Sequence, residues 1–276
     1  MSRVDKYNPM KSSALSRKRD RLKEESATGK ATIREIVFEE VRAEAIEHGL
    51  ATDVLYQMSA GKEASIFLAE WNGHPIVLKV YRLYRSSHKM SKKSGFQTAA
   101  STKRTYCTLD MIESLAVAEY DLLARCFRAG IRVPTPISRV GNYLTMRFLG
   151  DGRSPAPQLR NTTLDDPEVV LGQILDDYLR IYRDVHYVHG DLSAYNVLWW
   201  QHKPWIIDLP QGEAVDTHCD MRRIEIILKR DIHNLLDYFA EYDLRRDENE
   251  IVQAFLAEYI PANQQHYDES TVRGGL

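Results

Sequence analysis

The sequence predicts an α+β fold in two lobes: a small antiparallel sheet with one or two helices, a hinge, then a mostly helical half. Three observations carry this. Three apolar strand patterns follow one another within residues 53–83, separated only by tight turns. A Gly/Pro-rich segment, DGRSPAPQ at 151–158, interrupts the chain near its middle. Beyond it, apolar residues recur mainly at helical spacing. With 276 residues the chain is long enough to bury real cores in two small lobes.

Residues 1–30 hold nine Lys/Arg against four Asp/Glu and show no periodicity, which reads as a mobile basic tail. Residues 31–149 read as the first lobe. ATIREIVFEEVRAEAIEHGL predicts an amphipathic helix, with Thr32 and Glu35 as a capping box and Gly49 as its stop. DVLYQM, EASIFLAE and PIVLKVYRL predict three strands joined by the turns SAGK and WNGH. Residues 85–107 hold six Lys/Arg, no acid and little apolar periodicity, as a flexible basic loop would. A helix is expected from Asp110 to Ala129, with Met111, Leu115, Ala118, Leu122 and Cys126 on its apolar face and Gly130 ending it. VPTPISRV and YLTMRFLG predict two more strands.

Residues 150–276 read as the second lobe. Pro167 suits the first turn of a helix running to about Val185. Short strands are expected at Val197–Trp200 and Trp205–Ile207, then helices over roughly 221–243 and 247–260. A ligand is expected in a cleft between the lobes.

The net charge of −2 excludes a polycation that binds nucleic acid along its whole surface, although the tail and the loop are locally basic. The three cysteines, Cys107, Cys126 and Cys219, are too widely spaced for a disulfide framework or a structural zinc site. No apolar run reaches membrane-spanning length and no signal-peptide core opens the chain. A reducing, cytoplasmic setting is the simplest expectation.

Transfer of a phosphoryl group from ATP spreads negative charge over phosphate oxygens, so a site for it needs cations and fixed donors. Magnesium needs hard oxygen ligands. HGDLSAYNVLWW, residues 189–200, followed by PWIID ending at Asp208, offers both. Asp191 is placed in a loop after a helix, Asn196 five residues on, and Asp208 at the end of an apolar strand. The segment 197–207 has the length of a hairpin, which would return Asp208 to the side of Asn196. One carboxylate is then available to a hydroxyl, and an amide with a second carboxylate to metal. Each residue alone reads as an ordinary turn or cap; the combination does not.

The first half supplies the complement. Lys79 lies in the apolar strand IVLKVY, on a face shared with Val77 and Tyr81, where an unpaired ammonium is costly. Glu119 on the following helix is its candidate partner. The turn SAGKEAS offers backbone N–H groups with Ser59, Gly61 and Lys62 for phosphates. It matches neither G-x-x-x-x-G-K-[ST] nor the G-x-G-x-x-G loop of ordinary protein kinases. His189 is expected to brace the loop beside Asp191. His218 and Cys219 lack further ligands nearby, and at least one of Trp199 and Trp200 belongs to the core.

The order of these pieces resembles the protein-kinase superfamily, and in detail the RIO kinases. SAGKEASIF is similar to the RIO phosphate loop, and AEYDLLARCFRAGIRVPTPI to its helix C and next strand. MRFLGDGRSPAPQL resembles its hinge, HGDLSAYNVL its catalytic loop, IIDLPQ its metal-binding strand end, and LKRDIHNLLDYF its late helix. The resemblance runs from about 53 to 240. It implies a bilobal kinase-like fold without a long activation segment or APE region. It implies ATP with Mg2+ (or Mn2+) as cofactors. Asp191 would be the catalytic aspartate, and Asn196 and Asp208 the metal ligands. Lys79 would bind phosphates and pair with Glu119, under Ser59, Gly61 and Lys62. Met146 would be the gatekeeper, with the backbone of Arg147 and Leu149 at the adenine. The resemblance also implies that Asp208, matching the family's metal-binding aspartate, can itself accept phosphate in an ATPase cycle. The family works on small ribosomal subunit precursors, and the basic tail and loop suit such an RNA-rich partner.

The hinge departs from the common M-E-F by Arg147. The strand end reads Asp208-Leu209-Pro210-Gln211, with no DFG glycine. The region before residue 53 is too short for the winged helix of one RIO branch, so the branch without it is expected. Two other readings stand beside a RIO-type serine/threonine kinase and ATPase. HGDL followed by Asn also fits small-molecule kinases of the aminoglycoside and choline phosphotransferase type. A nucleotide-gated assembly factor would keep the same residues.

Overall fold

The computed structural model describes residues 37–61, 63–82 and 108–262. The basic tail, the Thr32–Glu35 pair, Lys62 and the basic segment 85–107 lie outside them. The described residues fall into two compact units, one holding 37–82, 108–117 and 138–145, the other 118–137 and 146–262.

The first unit begins with α1 (Phe38–Glu47), whose N-cap is Val37 without a side-chain cap. Gly49, just beyond the helix, takes the left-handed conformation expected of a stop, at φ 65°. Strands β1 (Asp53–Ala60), β2 (Ala64–Trp71) and β3 (His74–Tyr81) form antiparallel neighbours. The sheet is completed by β4 (Pro136–Val140) and β5 (Tyr143–Arg147), in the order β1-β2-β3-β5-β4. Val41 and Ala45 of α1 pack with Val54, Phe67, Leu78, Val80 and Tyr143 on one face of this sheet. The Tyr143 hydroxyl donates to Glu44 at 2.7 Å, tying sheet to helix. Helix α2 (Thr108–Arg128) begins in this unit, where Ala116 packs with Ala64 and Tyr81. Its last turns belong to the second unit and end at Gly130, φ 70°.

After residues 118–137 and 146–149, the second unit continues with two-residue strands β6 (Gly150–Asp151) and β7 (Ser154–Pro155) and a 3-10 turn at Leu159–Asn161. Helix α3 (Pro167–Val185) has the expected bounds. Asp166 caps it by accepting the Val169 N–H, and Pro167 removes an N–H that would have had no partner. Helix α4 (Met221–Ala240) is capped by Asp220, and α5 (Glu248–Glu258) by Asp247. Tyr178 and Tyr182 of α3 lie against Phe255 of α5, and with Ile174, Ile181, Leu228, Ile232 and Phe239 they build the helical core. Between α3 and α4 run β8 (Tyr187–Val188), β9 (Val197–Trp200), β10 (Lys203–Ile206) and β11 (Glu213–Ala214). β9 pairs antiparallel with β10, and β8 with β11. Among the described residues, no helix is long and apolar enough to cross a membrane.

Candidate active site

Three of the residues singled out in the sequence meet around the β9–β10 hairpin. Val197 pairs with Ile206, and the Ile207 N–H donates to the Asn196 carbonyl at 2.9 Å. The hairpin therefore returns the chain beside Asn196 one residue before Asp208, as its length requires. The Asn196 side-chain Nδ2 donates to the Asp191 carbonyl at 2.8 Å and to its carboxylate at 3.1 Å. This orients the Asp191 carboxylate and leaves Oδ1 as the oxygen Asn196 can present to a cation. Oδ1 with the Asp208 carboxylate is a hard-oxygen donor set that fits magnesium, which keeps several waters and takes few protein ligands. Among the described residues, no three His, Cys, Asp or Glu side chains gather into a metal-binding group. The fit therefore depends on the amide.

The loop that carries Asp191 is held by its own backbone. The His189 N–H donates to the Tyr178 hydroxyl at 3.4 Å. The Gly190 and Leu192 N–H groups donate to the two oxygens of Asp231, at 2.7 and 3.2 Å. The Asp191 N–H donates to His189 Nδ1 at 3.3 Å. Because Nδ1 accepts, Nε2 carries the ring proton and donates to the Ile207 carbonyl at 2.9 Å. His189 thus braces the loop against the strand end that leads to Asp208. Asp231 lies fully buried on α4 and also accepts the Tyr178 hydroxyl at 2.7 Å. Burial pushes its carboxyl up, and the hydrogen bonds from Tyr178, Gly190 and Leu192 oppose that shift. The neighbouring Arg230 guanidinium donates to the Gly190 carbonyl.

Two glycines let the loops meet. A Cβ on Gly190, at φ 83°, would stand 2.7 Å from the Gln211 carbonyl oxygen. One on Gly212 would stand 1.7 Å from the Val188 carbonyl oxygen. The Asp191 loop and the turn after Asp208 are therefore packed backbone to backbone, which no larger residue permits. Asp208 itself is left-handed, at φ 61°, and opens the 3-10 turn Leu209–Gln211. A non-glycine residue held there is strained, as is common at functional sites.

The remaining sequence-predicted residues are placed as follows. Met146 and Leu149 are buried and Arg147 is exposed. The Arg147 N–H donates to the Thr135 carbonyl at 2.8 Å, so only its carbonyl side can serve a ligand. Glu119 on α2, also in the second unit, is 3% exposed. Lys79 belongs to the first unit. It is 8% exposed and its amine lies 5.2 Å from the Tyr81 ring centre. Ser59 and Gly61 are exposed at the β1–β2 turn, where the Gly61 N–H donates to the Ala64 carbonyl at 2.9 Å. Sequence reasoning missed two supports. Arg82 donates to the Gly61 carbonyl and moors the turn; nothing in the sequence marks it. Asp231 interrupts the apolar face Ile224–Leu228–Leu235, a signal that was legible.

The fold and this site define a protein-kinase-like molecule. The Rio2 kinase of Chaetomium thermophilum has the same fold. Its ADP/Mg2+-phosphoaspartate complex aligns with TM-score 0.58 at 16% identity, over 94% of this chain and 83% of that one. The RIO domain matches residues 65–254, and the chain belongs to the RIO family. It is 30% identical to the serine/threonine-protein kinase RIO1 of Caenorhabditis elegans, over 82% of this chain and 45% of that protein. It is 30% identical to the RIO-type serine/threonine-protein kinase Rio1 of Haloferax volcanii, over 66% of this chain and 61% of that protein. The chain therefore spans about half to three fifths of the length of these relatives.

Proposed function

We propose that this chain is an ATP- and magnesium-dependent phosphotransferase of the RIO type that phosphorylates serine or threonine and turns over ATP. The observation that supports it most is the Asn196 amide seated on Asp191 beside the strand end carrying Asp208. In this reading Asp191 orients the acceptor hydroxyl and takes its proton as the bond from the γ-phosphorus to the bridging oxygen breaks. Asn196 Oδ1 and Asp208 hold Mg2+ (or Mn2+), which when bound neutralises charge on the phosphate oxygens. Ser59, Gly61, Lys62 and Lys79 serve the phosphates, with Glu119 as the counter-ion of Lys79. Met146 and the hinge backbone at Arg147 and Leu149 receive adenine. The phosphoaspartate named for the Rio2 neighbour supports a second acceptor, the Asp208 carboxylate, whose acyl phosphate water would then hydrolyse. The basic segments 1–30 and 85–107 suit an RNA-rich partner such as a ribosomal precursor, in a cytoplasmic setting.

The test is incubation with Mg2+ and γ-labelled ATP beside Asp191→Ala and Asp208→Ala. Wild type is expected to release phosphate or to carry label, and each variant to lose it by about 100-fold or more. Label removed by hydroxylamine identifies an aspartyl phosphate; acid-stable label identifies a hydroxyl ester. A wild type that binds ATP yet yields neither phosphate nor label, with or without added protein substrate, overturns the reading in favour of a nucleotide-gated assembly factor.

A further inference from the structure

The Arg147 side chain has no part in the mechanism above, yet it is not loose. Its guanidinium carbon lies 4.8 Å from the Trp200 ring centre and 5.9 Å from that of Trp205. Trp200 ends β9 and pairs with Lys203, so Trp205, two residues further along β10, is its diagonal neighbour on the same face. The two rings lie 5.6 Å apart at 59° and form an angled wall. A guanidinium plane is suited to such a wall, by its charge and by its flatness.

Backbone bonds close residues 149–156 on themselves and join the segment that follows to β9. The Ala156 N–H donates to the Leu149 carbonyl at 2.9 Å, and the Trp199 N–H to the Pro157 carbonyl at 2.8 Å. Gln158 bridges to Leu198. Leu149, Ala156 and Trp200 form one buried cluster, with Leu198 and Trp205 against it. The hinge is therefore fastened to the turn end of the β9–β10 hairpin, whose open end carries Asn196 and Asp208. At ~3.3 Å per residue these ends are about 13 Å apart, within the reach of a nucleoside triphosphate.

We propose, on the phosphotransferase reading above, that Arg147 is a positioning residue. It clamps the hinge that receives the base to the hairpin that carries the metal ligands, so that one rigid element sets both ends of the nucleotide site.

The test measures ATP·Mg2+ binding by calorimetry, with KM and kcat, for wild type, Arg147→Ala, Arg147→Lys, Trp205→Leu and the Arg147→Ala/Trp205→Leu double variant. Tryptophan emission is recorded without nucleotide. Arg147→Ala is expected to weaken binding and raise KM about fivefold, with kcat within about twofold, and to shift the emission. Arg147→Lys should recover at least part of the binding. The double variant should bind no worse than the weaker single one, because both changes break the same contact. If Trp205→Leu does not fold, Trp205→Phe takes its place, and Arg147→Ala should still weaken binding in that background because an aromatic ring is kept. Wild-type binding by Arg147→Ala, a lysine variant no better than alanine, or additive losses would each overturn the clamp while leaving the phosphotransferase reading intact. A wild type that binds no ATP would instead remove that reading, and the clamp with it.

Discussion

Asp231 holds the Asp191 loop from α4. It accepts the N–H groups on both sides of Asp191 and the Tyr178 hydroxyl, all inside the protein. Asp231→Ala would leave these three donors buried without an acceptor. The expected result is a loss of about 3 kcal/mol or more in denaturant unfolding, together with slower phosphoryl transfer. Asp231→Asn keeps one carbonyl oxygen and should cost less on both counts. Asp191, Asn196 and Asp208 were legible in the sequence because they are close in the chain and joined by a single hairpin. Asp231 lies about 40 residues beyond the loop it holds, and only its place on an apolar helix face gave it a signal. Arg82 gave none, since an arginine at a strand end is ordinarily solvated.

The β9–β10 hairpin is the element on which the site turns. Its two-residue connection, Gln201 and His202, has φ of 51° and 57°, the positive pair of a type I′ turn. Neither residue favours that conformation, whereas Asn-Gly does. Replacing Gln201-His202 by Asn-Gly should raise the unfolding free energy by roughly 0.5–1 kcal/mol. Denaturant midpoints of the two proteins would check it. The long elements were legible to within a few residues: α3 by Pro167 and its apolar spacing, β2 and β3 by their apolar runs. The two-residue pairings β6–β7 and β8–β11 were not. Such strands have no period of their own and exist where tertiary packing brings two backbones together, as Gly212 does beneath Val188.

At the scale of the whole molecule, stability is tied to pH through buried acids. Asp177 on α3 is buried between Arg132, at 2.7 Å, and Arg180, at 3.9 Å. Burial outweighs the two arginines, with Asp176 adding to it, and lifts the carboxyl from 3.8 to about 6. The native state then holds this proton more tightly than the unfolded chain. The stabilisation is complete below about pH 4 and is lost as pH rises through about 6. Asp231, also raised, has the same sign. Unfolding free energies measured between pH 4 and 7 should show a downward component with rising pH that is smaller in Asp177→Asn than in wild type, because Asp231 keeps its own share.

The sequence by itself determined the α+β class, the principal helices and strands, the RIO resemblance and the candidate site residues Asp191, Asn196 and Asp208 around the β9–β10 hairpin. These are signals of local period and short chain separation, and a chain carries them before it folds. Only the tertiary structure decided that Asp231 holds the Asp191 loop, that Arg82 moors the β1–β2 turn, and that Arg147 lies on Trp200 and Trp205. Each joins residues far apart in the chain, through burial or stacking that comes into existence when distant elements pack.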